Sequence, residues 1–181
     1  EGRTVFVSKP SNLFPLLEEA PHSLLLAGGI GITPMLTMAH RLHTLGRPFE
    51  LHYSAASRAE AGFVDDIEAA PWRSRVQFHF KREGQRANLA QLIPPYRSGL
   101  QLYTCGSVRY MDGVFAAAQL AGWPDEALHR EFFSVPEAPE RENFPFVLQL
   151  TDGRRLDVPA DRSATDVLAD AGVKVDVKCS D

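Results

Sequence analysis

The feature that most constrains this chain is an alternation of short apolar runs with helical patterns between residues 23 and 134. The runs are Leu24–Ala27, Phe49–Tyr53, Val76–Phe80, Leu100–Thr104 and Leu128–Phe133. Short strands separated by crossovers are typical of a parallel sheet that is covered on both faces. The pattern therefore predicts an α/β fold with a five-stranded doubly wound parallel sheet, for which we consider the order 3-2-1-4-5.

Helix start and stop signals stand between these runs. Thr33 is predicted to cap the first helix, with Pro34 at its first position and Gly46 after its last turn. A second helix is predicted over Val108–Ala121, followed by Gly122. Two shorter helices are predicted over residues 63–70 and 89–93.

The chain is predicted to divide into four segments, 1–20, 21–134, 135–145 and 146–181. Segment 1–20 has a lone strand over Arg3–Val7 and then prolines, which is typical of the tail of a preceding domain. Segment 135–145 is rich in proline and charge, as linkers are. In segment 146–181, Asp152-Gly153 predicts a hairpin and Ser163 to Gly172 a capped helix. About thirty-five residues are too few for a core, so this segment is interpreted as the start of a second domain.

Composition excludes several classes of function. The 181 residues carry 19 Lys and Arg against 23 Asp and Glu, a formal net charge of −4 with no basic stripe, so nucleic acid is not expected as a partner. The longest apolar run is far shorter than the ~20 residues of a membrane helix, so no membrane span is expected. Cys105 and Cys179 are the two cysteines, which argues against a disulfide scaffold and for the reducing cytoplasm.

The strongest local motif is the glycine-rich turn Ala27–Pro34, which follows a predicted buried strand and opens a helix. Glycines allow a pyrophosphate to approach the backbone, and the helix N-terminus favours an anion. The spacing differs from the dinucleotide fingerprint G-x-G-x-x-G. A tight strand-to-helix turn without a ligand explains the bare pattern equally well.

A second turn with small residues, Tyr103–Ser107, ends the fourth predicted strand. Strands one and four are neighbours at the switch point of a doubly wound sheet, so both turns are predicted to line one crevice. Cys105 has two interpretations, a residue that contacts a ligand and a small buried thiol. After the second strand, Ser57 and Arg58 are candidates for contacts to an adenosine ribose, and the alternative for Arg58 is an ordinary surface arginine.

Taken together, several motifs resemble those of the phthalate dioxygenase reductase and vanillate demethylase reductase family. They are Asn12–Leu16, Leu26–Met35, Cys105–Ser107, Glu131–Phe133 and Lys178-Cys179. The resemblance covers essentially the whole chain. It implies the tail of a flavin-binding β-barrel, an NAD(H)-binding domain, and the first part of a β-grasp ferredoxin-like domain with a plant-type [2Fe-2S] cluster.

The resemblance also implies an activity and its partners. It implies an oxidoreductase that passes electrons from NADH through FMN, or FAD, and a [2Fe-2S] cluster to a terminal Rieske non-haem iron oxygenase. A monomer is expected. Two alternatives remain open, a stand-alone flavin or ferric reductase and a nucleotide-binding module without electron transfer. NADPH also remains open, because an arginine such as Arg58 is able to accept a 2′-phosphate.

The site residues that the resemblance implies fall into four groups. The pyrophosphate would be held by Gly28, Gly29, Gly31 and Ile32. Thr33, Pro34, Cys105 and Gly106 would lie at the nicotinamide, with Met111 packed behind them. Ser57 and Arg58 would lie near the adenosine ribose. Phe133 would cover the flavin, Glu131 would order that junction, and Cys179 would be the first cluster ligand. Cys105, Phe133 and Thr33 are the catalytic candidates.

Overall fold

The structure of this protein is a computed structural model that describes residues 12–133 and 143–173. The chain divides into two compact units, Glu1–Pro136 and Glu137–Asp181. The predicted strand over Arg3–Val7, most of the predicted linker and Cys179 lie outside the described residues. Within the described residues, no helix has the length and apolar character needed to cross a membrane.

The first unit contains the predicted parallel sheet. Its strands are β1 (Ser23–Gly28), β2 (Phe49–Ala55), β3 (Val76–Phe80), β4 (Gln101–Cys105) and β5 (Leu128–Glu131). All neighbouring pairs are parallel, which confirms the predicted parallel sheet, and the strand order is β3-β2-β1-β4-β5. The last strand ends at Glu131, so Phe132 and Phe133 follow it instead of belonging to it.

Helices connect the strands. They are α1 (Ile32–Thr44), α2 (Val64–Glu68), α3 (Leu89–Leu92) and α4 (Val108–Leu120). Short 3-10 turns occupy Gly29–Gly31, Arg58–Glu60, Arg73–Arg75, Lys81–Glu83 and Asp125–Ala127. Gly46 and Gly122 follow α1 and α4, as predicted.

Alternate residues of the central strands enter two different cores. Leu25 and Ala27 of β1 pack on the α1 side with Met35 and Leu42. Leu24 and Leu26 pack on the opposite side, together with α4 residues such as Val114 and Ala118. Because successive side chains of a strand point to opposite faces, a run of four apolar residues serves both cores. Each buried leucine contributes about 1.5–3 kcal/mol, so these runs anchor the strand ends that carry the turns.

The prediction that Thr33 caps α1 was wrong. The helix begins at Ile32 after Gly31, and the Thr33 hydroxyl donates a hydrogen bond to the carbonyl oxygen of Ile30 at 3.1 Å. The 3-10 turn at Gly29–Gly31 already coils the backbone, so the helix starts before the first residue with a capping side chain. Pro34 is therefore the third helical residue, where its missing N–H still costs no intrahelical bond.

The second unit contains the predicted hairpin and helix. Strands β6 (Phe146–Gln149) and β7 (Arg155–Val158) are antiparallel, and α5 spans Ala164–Asp170. The Ser163 hydroxyl caps α5 by accepting the backbone N–H of Asp166 at 3.1 Å. This order of hairpin and helix agrees with the predicted start of a ferredoxin-like domain.

Candidate functional site

A cavity of about 860 Å³ runs along the carboxyl ends of the strands in the first unit. Small-molecule sites in proteins have volumes of this order. We call it the carboxyl-edge cavity. Its lining residues come from the ends of all five strands or the residues just after them, from the loop after β3, and from the first turns of α3 and α4: Gly28, Gly29, Ile30, Ser54, Ala55, Ala56, His79, Lys81, Arg86, Ala87, Leu89, Gly106, Ser107, Val108, Arg109, Tyr110, Gly113, Phe132 and Phe133.

The strand order makes this cavity long. Lining residues occur at the end of β3, at one edge of the sheet, and just after β5, at the other edge. Four inter-strand gaps of about 4.8 Å separate those edges, which corresponds to about 19 Å. An elongated ligand therefore fits the cavity better than a compact one.

The two predicted small-residue turns touch each other. A Cβ built on Gly31 would lie 2.1 Å from the carbonyl oxygen of Cys105, so only glycine allows this approach. A Cβ on Gly28 would lie 2.8 Å from the ring of Tyr110, and one on Gly106 would lie 3.0 Å from the carbonyl oxygen of Gly28. The predicted convergence of the two turns is confirmed. Gly29 has open space on its outer side, which leaves the backbone at this point accessible from the cavity.

Tyr110 and Ser54 form part of the wall that sequence reasoning missed. Their hydroxyl oxygens are buried and have no hydrogen-bond partner in the part of the chain that the structure describes. Burial raises the pKa of Tyr110 to about 12, although the neighbouring Ser54 hydroxyl acts in the opposite direction, so the phenol keeps its proton and remains able to donate. The sequence feature that could have identified Tyr110 is its position in the first turn of the helix that follows Tyr103–Ser107.

Cys105 does not line the carboxyl-edge cavity. Its side chain is buried in the core on the α1 side, near Leu25 and Tyr103. Burial, together with the charge of Glu131, raises the pKa of the Cys105 thiol to about 11. The thiol is therefore neutral at pH 7, and its place matches the alternative of a small buried residue. A role beside the nicotinamide stays a prediction.

The other residues expected at the pyrophosphate and nicotinamide separate into cavity-facing and buried groups. Gly28, Gly29, Gly106 and Phe133 line the cavity. Ile32 and Met111 are 1% exposed and lie in the packed interior, so they act as support. Thr33, Pro34 and Glu131 are half-buried and are not among the lining residues.

Ser57 and Arg58 lie outside the carboxyl-edge cavity. They line a separate hollow of about 590 Å³ together with Asp65, Asp66 and Glu83. The guanidinium of Arg58 donates to Glu68 at 2.7 Å, and the Ser57 hydroxyl donates to Glu60 at 3.1 Å. Ser57 precedes the 3-10 turn Arg58–Glu60, which lies beside this acidic surface. The expected place of Ser57 and Arg58 near the adenosine ribose stays a prediction.

Three basic residues of the cavity were not predicted. Lys81 and Arg86 follow β3, and Arg109 lies in the first turn of α4. The position of Lys81 directly after a predicted strand is the sequence feature that could have identified it.

A pair of histidines lies beside these residues. His79, the last but one residue of β3, lines the cavity, and its Nε2 lies 3.1 Å from Nδ1 of His52. Burial lowers the pKa of both histidines, so they add no charge at pH 7.

The described residues hold no group of three or more His, Cys, Asp or Glu able to bind a metal ion. Cys179, the predicted cluster ligand, lies beyond them. The second unit as described therefore shows the hairpin and helix that precede Cys179, and nothing of the ligand itself.

Comparison with known proteins places these features in a family. The family model of the dimethylamine monooxygenase subunit DmmA-like, N-terminal domain, matches residues 6–128. The vanillate O-demethylase oxidoreductase of Pseudomonas sp. (strain HR199 / DSM 7063) is 40% identical over 98% of this chain and 57% of its own length. The phthalate dioxygenase reductase of Burkholderia cepacia is 36% identical over 99% of this chain and 56% of its own. These matches confirm the resemblance seen in the sequence.

A solved structure supports the fold. It is described as phthalate dioxygenase reductase, a modular structure for electron transfer from pyridine nucleotides to [2Fe-2S]. It is 34% identical, has a TM-score of 0.67, and covers 94% of this chain and 54% of that chain. The fold class predicted from the sequence is thus confirmed. The chain spans a little over half the length of the curated relatives that it matches.

Proposed function

The chain belongs to the family of the dimethylamine monooxygenase subunit DmmA-like, N-terminal domain, and from that membership we propose that it is the pyridine-nucleotide-binding part of a reductase. In this proposal electrons pass from NADH through a flavin and a [2Fe-2S] cluster to an oxygenase partner. Relatives named as the reductases of a demethylase and of a dioxygenase support the electron-transfer role.

The observation that carries the proposal is the carboxyl-edge cavity with its two touching glycine turns. Ligands of doubly wound proteins bind outside the carboxyl ends of the strands, at the point where the strand order reverses. Here β1 and β4 are the strands on either side of that point, and their turns meet through Gly31 and Cys105. The length of the cavity fits a dinucleotide that lies across the sheet.

We assign the pyrophosphate to the turn after β1. The backbone of Gly29 faces open space beside the cavity, and the N-terminus of the 13-residue helix α1 follows directly. Unpaired N–H groups and the positive end of a helix dipole favour an anion at such a place. A side chain at Gly28 or Gly31 would collide with Tyr110 or with Cys105, so these glycines keep the two turns in register.

We assign the nicotinamide to the end of the cavity near Phe132 and Phe133. Phe133 lines the cavity and is 54% exposed, so its ring is accessible to a ligand there. A flavin bound against Phe133 would supply a hydride acceptor that releases electrons singly. The residues of this chain position the two rings, and the Cys105 thiol, which keeps its proton, acts as part of the support behind Gly106.

The finer features of the proposal rest on the family resemblance. They are FMN as the flavin, Cys179 as the first ligand of the cluster, a monomeric reductase, a cytoplasmic location and an oxygenase of the Rieske non-haem iron type. The β6–β7 hairpin and α5 support the cluster domain, because they stand between the nucleotide-binding unit and Cys179 in the expected order.

The test uses the protein at its natural length. Flavin, iron and sulfide are assayed, and anaerobic visible spectra are recorded before and after NADH is added. We expect one flavin and two irons per chain, with both chromophores bleached by NADH. Flavin without iron would replace the proposal with a simple flavin reductase. Nucleotide binding without bleaching would leave a binding module alone.

A further inference from the structure

Arg130, the third residue of β5, lies over two phenylalanine rings. The central carbon of its guanidinium lies 4.6 Å from the ring centre of Phe115 and 4.9 Å from the ring centre of Phe132. Its Nη1 also donates to Oδ1 of Asp112 at 3.0 Å. Asp112 and Phe115 belong to α4, whereas Phe132 is the first residue after β5. One side chain therefore joins the middle of α4 to the segment that leaves the sheet.

The position of Arg130 in its strand explains this direction. Leu128, two residues earlier in β5, is buried in the core that contains Val114 and Ala118 of α4. Because alternate residues of a strand point to the same face of the sheet, the side chain of Arg130 also points toward α4. β5 forms one edge of the sheet as described and pairs with β4. The arginine thus reaches α4 from the strand that ends beside the carboxyl-edge cavity.

Arg130 joins two parts of the cavity wall. Residues 107–110, at the start of α4, line the cavity on one side, and Phe132 and Phe133 line it after β5. Arg130 itself is not a lining residue. Its contacts with α4 hold the ring of Phe132 against the helix that carries the other part of the wall. Phe133 is exposed, so its position depends strongly on how its neighbour Phe132 is held.

We propose that Arg130 is a positioning residue, which acts through Phe132 to fix Phe133 at the end of the cavity where nicotinamide and flavin meet. The inference rests on the proposed function, and it adds a residue that touches neither ligand. Hydride transfer depends steeply on the arrangement of the two reacting rings, since a misplacement of about 1 Å is able to slow such a reaction about 100-fold. Loss of Arg130 should therefore change the rate of flavin reduction more than the affinity for NADH.

A guanidinium suits this arrangement because it is planar. Its face packs on aromatic rings, while its N–H groups lie in its plane and donate to a carboxylate. Both distances from Arg130 to the ring centres are within the ~6 Å of a cation–π contact. The ammonium of a lysine has the charge without the plane. Arg130→Lys should therefore hold the ring of Phe132 less firmly than arginine does, but more firmly than an uncharged side chain.

The first test measures flavin reduction by NADH in anaerobic stopped flow, with the natural-length protein and its flavin. Arg130→Met keeps a long apolar side chain but has no guanidinium. We expect its limiting rate to be about tenfold lower, with Arg130→Lys between it and the wild type, while the NADH concentration at half the limiting rate changes less than about twofold. The long-wavelength absorbance of NAD⁺ stacked on the reduced flavin should decrease in the same order.

A second test needs no electron transfer. 4-Fluorophenylalanine is placed at residue 132, and its ring is observed by ¹⁹F NMR in the natural-length protein. We expect one narrow line when Arg130 is present. In Arg130→Met the line should broaden and move toward its position in the urea-unfolded protein. Asp112→Asn removes one of the three contacts of the guanidinium, so it should give a smaller change of the same kind, and it serves as the test if Arg130→Met does not fold.

Arg73→Met is the matched control. The guanidinium of Arg73 likewise lies over a phenylalanine ring, 5.0 Å from the centre of Phe78, but Phe78 does not line the cavity. This variant should keep the wild-type rate, absorbance and ¹⁹F line. A wild-type rate or an unchanged ¹⁹F line in Arg130→Met would overturn the inference, as would an equal loss of rate in Arg73→Met. Failure of NADH to bleach the flavin of the wild-type protein would instead overturn the proposed function.

Discussion

Gly31 and the backbone of Cys105 approach each other so closely that no other residue fits between the turns after β1 and β4. A Cβ at residue 31 would lie 2.1 Å from the carbonyl oxygen, 2.3 Å from the carbonyl carbon and 2.7 Å from the nitrogen of Gly106. Backbone atoms cannot rotate away as a side chain does. The shape of the candidate site therefore depends on the absence of a side chain at residue 31.

Gly31→Ala should lower the free energy of unfolding by at least about 1–3 kcal/mol, the range for an overpacked interior position. Urea denaturation measures it, and nucleotide affinity should fall as well because the two turns must separate. Gly62→Ala is the control, since a Cβ there meets nothing within 4 Å and its φ is ordinary. Equal stabilities of the two variants would contradict the close approach.

The Cys105 thiol gives a prediction about pH. Its pKa is raised to about 11, so the folded protein holds the proton more strongly than the unfolded chain, in which the thiol ionises near pH 9. The contribution of this thiol to the free energy of unfolding is therefore full below pH 9 and is lost as the pH rises toward 11. Between pH 8 and pH 10 the free energy of unfolding should fall by about 1 kcal/mol for this reason. In Cys105→Ala the free energy of unfolding should not show this part of its decrease with pH. Identical slopes in urea denaturation series of both proteins would contradict it.

The sequence identified the glycines of the site but not its charged residues. Glycines in a strand-to-helix turn carry a local signal, since the backbone itself requires them. The ion pair between Arg58 and Glu68, ten residues apart, could not be predicted from the local pattern. No local pattern reports which of several exposed arginines a carboxylate will bind.

Among the elements, α4 has a residue at its N-cap, Ser107, that serves both the helix and the candidate site. The Ser107 hydroxyl accepts the backbone N–H of Tyr110 at 3.3 Å, and Ser107 also lines the carboxyl-edge cavity. The strands and the bodies of the longer helices were predicted from apolar patterns, the end of α4 from Gly122, and the bounds of α5 from Ser163 and Gly172. The start of α1 did not, because a 3-10 turn of glycines replaces the side-chain cap.

Two substitutions separate these roles of Ser107. Ser107→Ala should lower stability by about 1 kcal/mol through loss of the cap. Ser107→Asp retains a capping oxygen, so it should stay within about 0.5 kcal/mol of the wild type in thermal or urea denaturation. Its carboxylate would nonetheless repel an anionic dinucleotide, so the dissociation constant for NADH should rise about fivefold or more. Unchanged affinity in Ser107→Asp would show that the ligand does not pass this residue.

At the scale of the whole molecule, the strand order was predictable while the full cavity was not. The parallel sheet follows from the alternation of strands and crossovers, and its observed order is the one considered from the known doubly wound folds. The part of the cavity wall at Arg86 depends on the loop that the hydrogen bond between Gln85 and Phe80 closes. The part at Tyr110 depends on the packing of its ring against Gly28. These are contacts between segments that are apart in the sequence, and the apolar periodicity of the sequence does not predict them.

The exposed Phe133 at the end of the cavity provides a prediction for the whole protein. Phe133→Ala should leave folding stability nearly unchanged but weaken flavin retention about three- to tenfold, as expected for loss of an aromatic stacking contact. Flavin fluorescence on dilution of the natural-length protein measures this. Leu120→Ala is the control, because Leu120 is 92% exposed and lies away from the cavity lining. Equal flavin retention in both variants would remove Phe133 from the flavin contact.

The central claim is that a pyridine nucleotide lies across the carboxyl ends of the strands. The most direct measurement is a crystal structure of the natural-length protein with bound NAD⁺. We predict the pyrophosphate at Gly29, the nicotinamide toward Phe133 and the adenosine toward Lys81 and Arg86. A nucleotide in the hollow of Ser57 and Arg58, or in the reverse direction, would contradict the account.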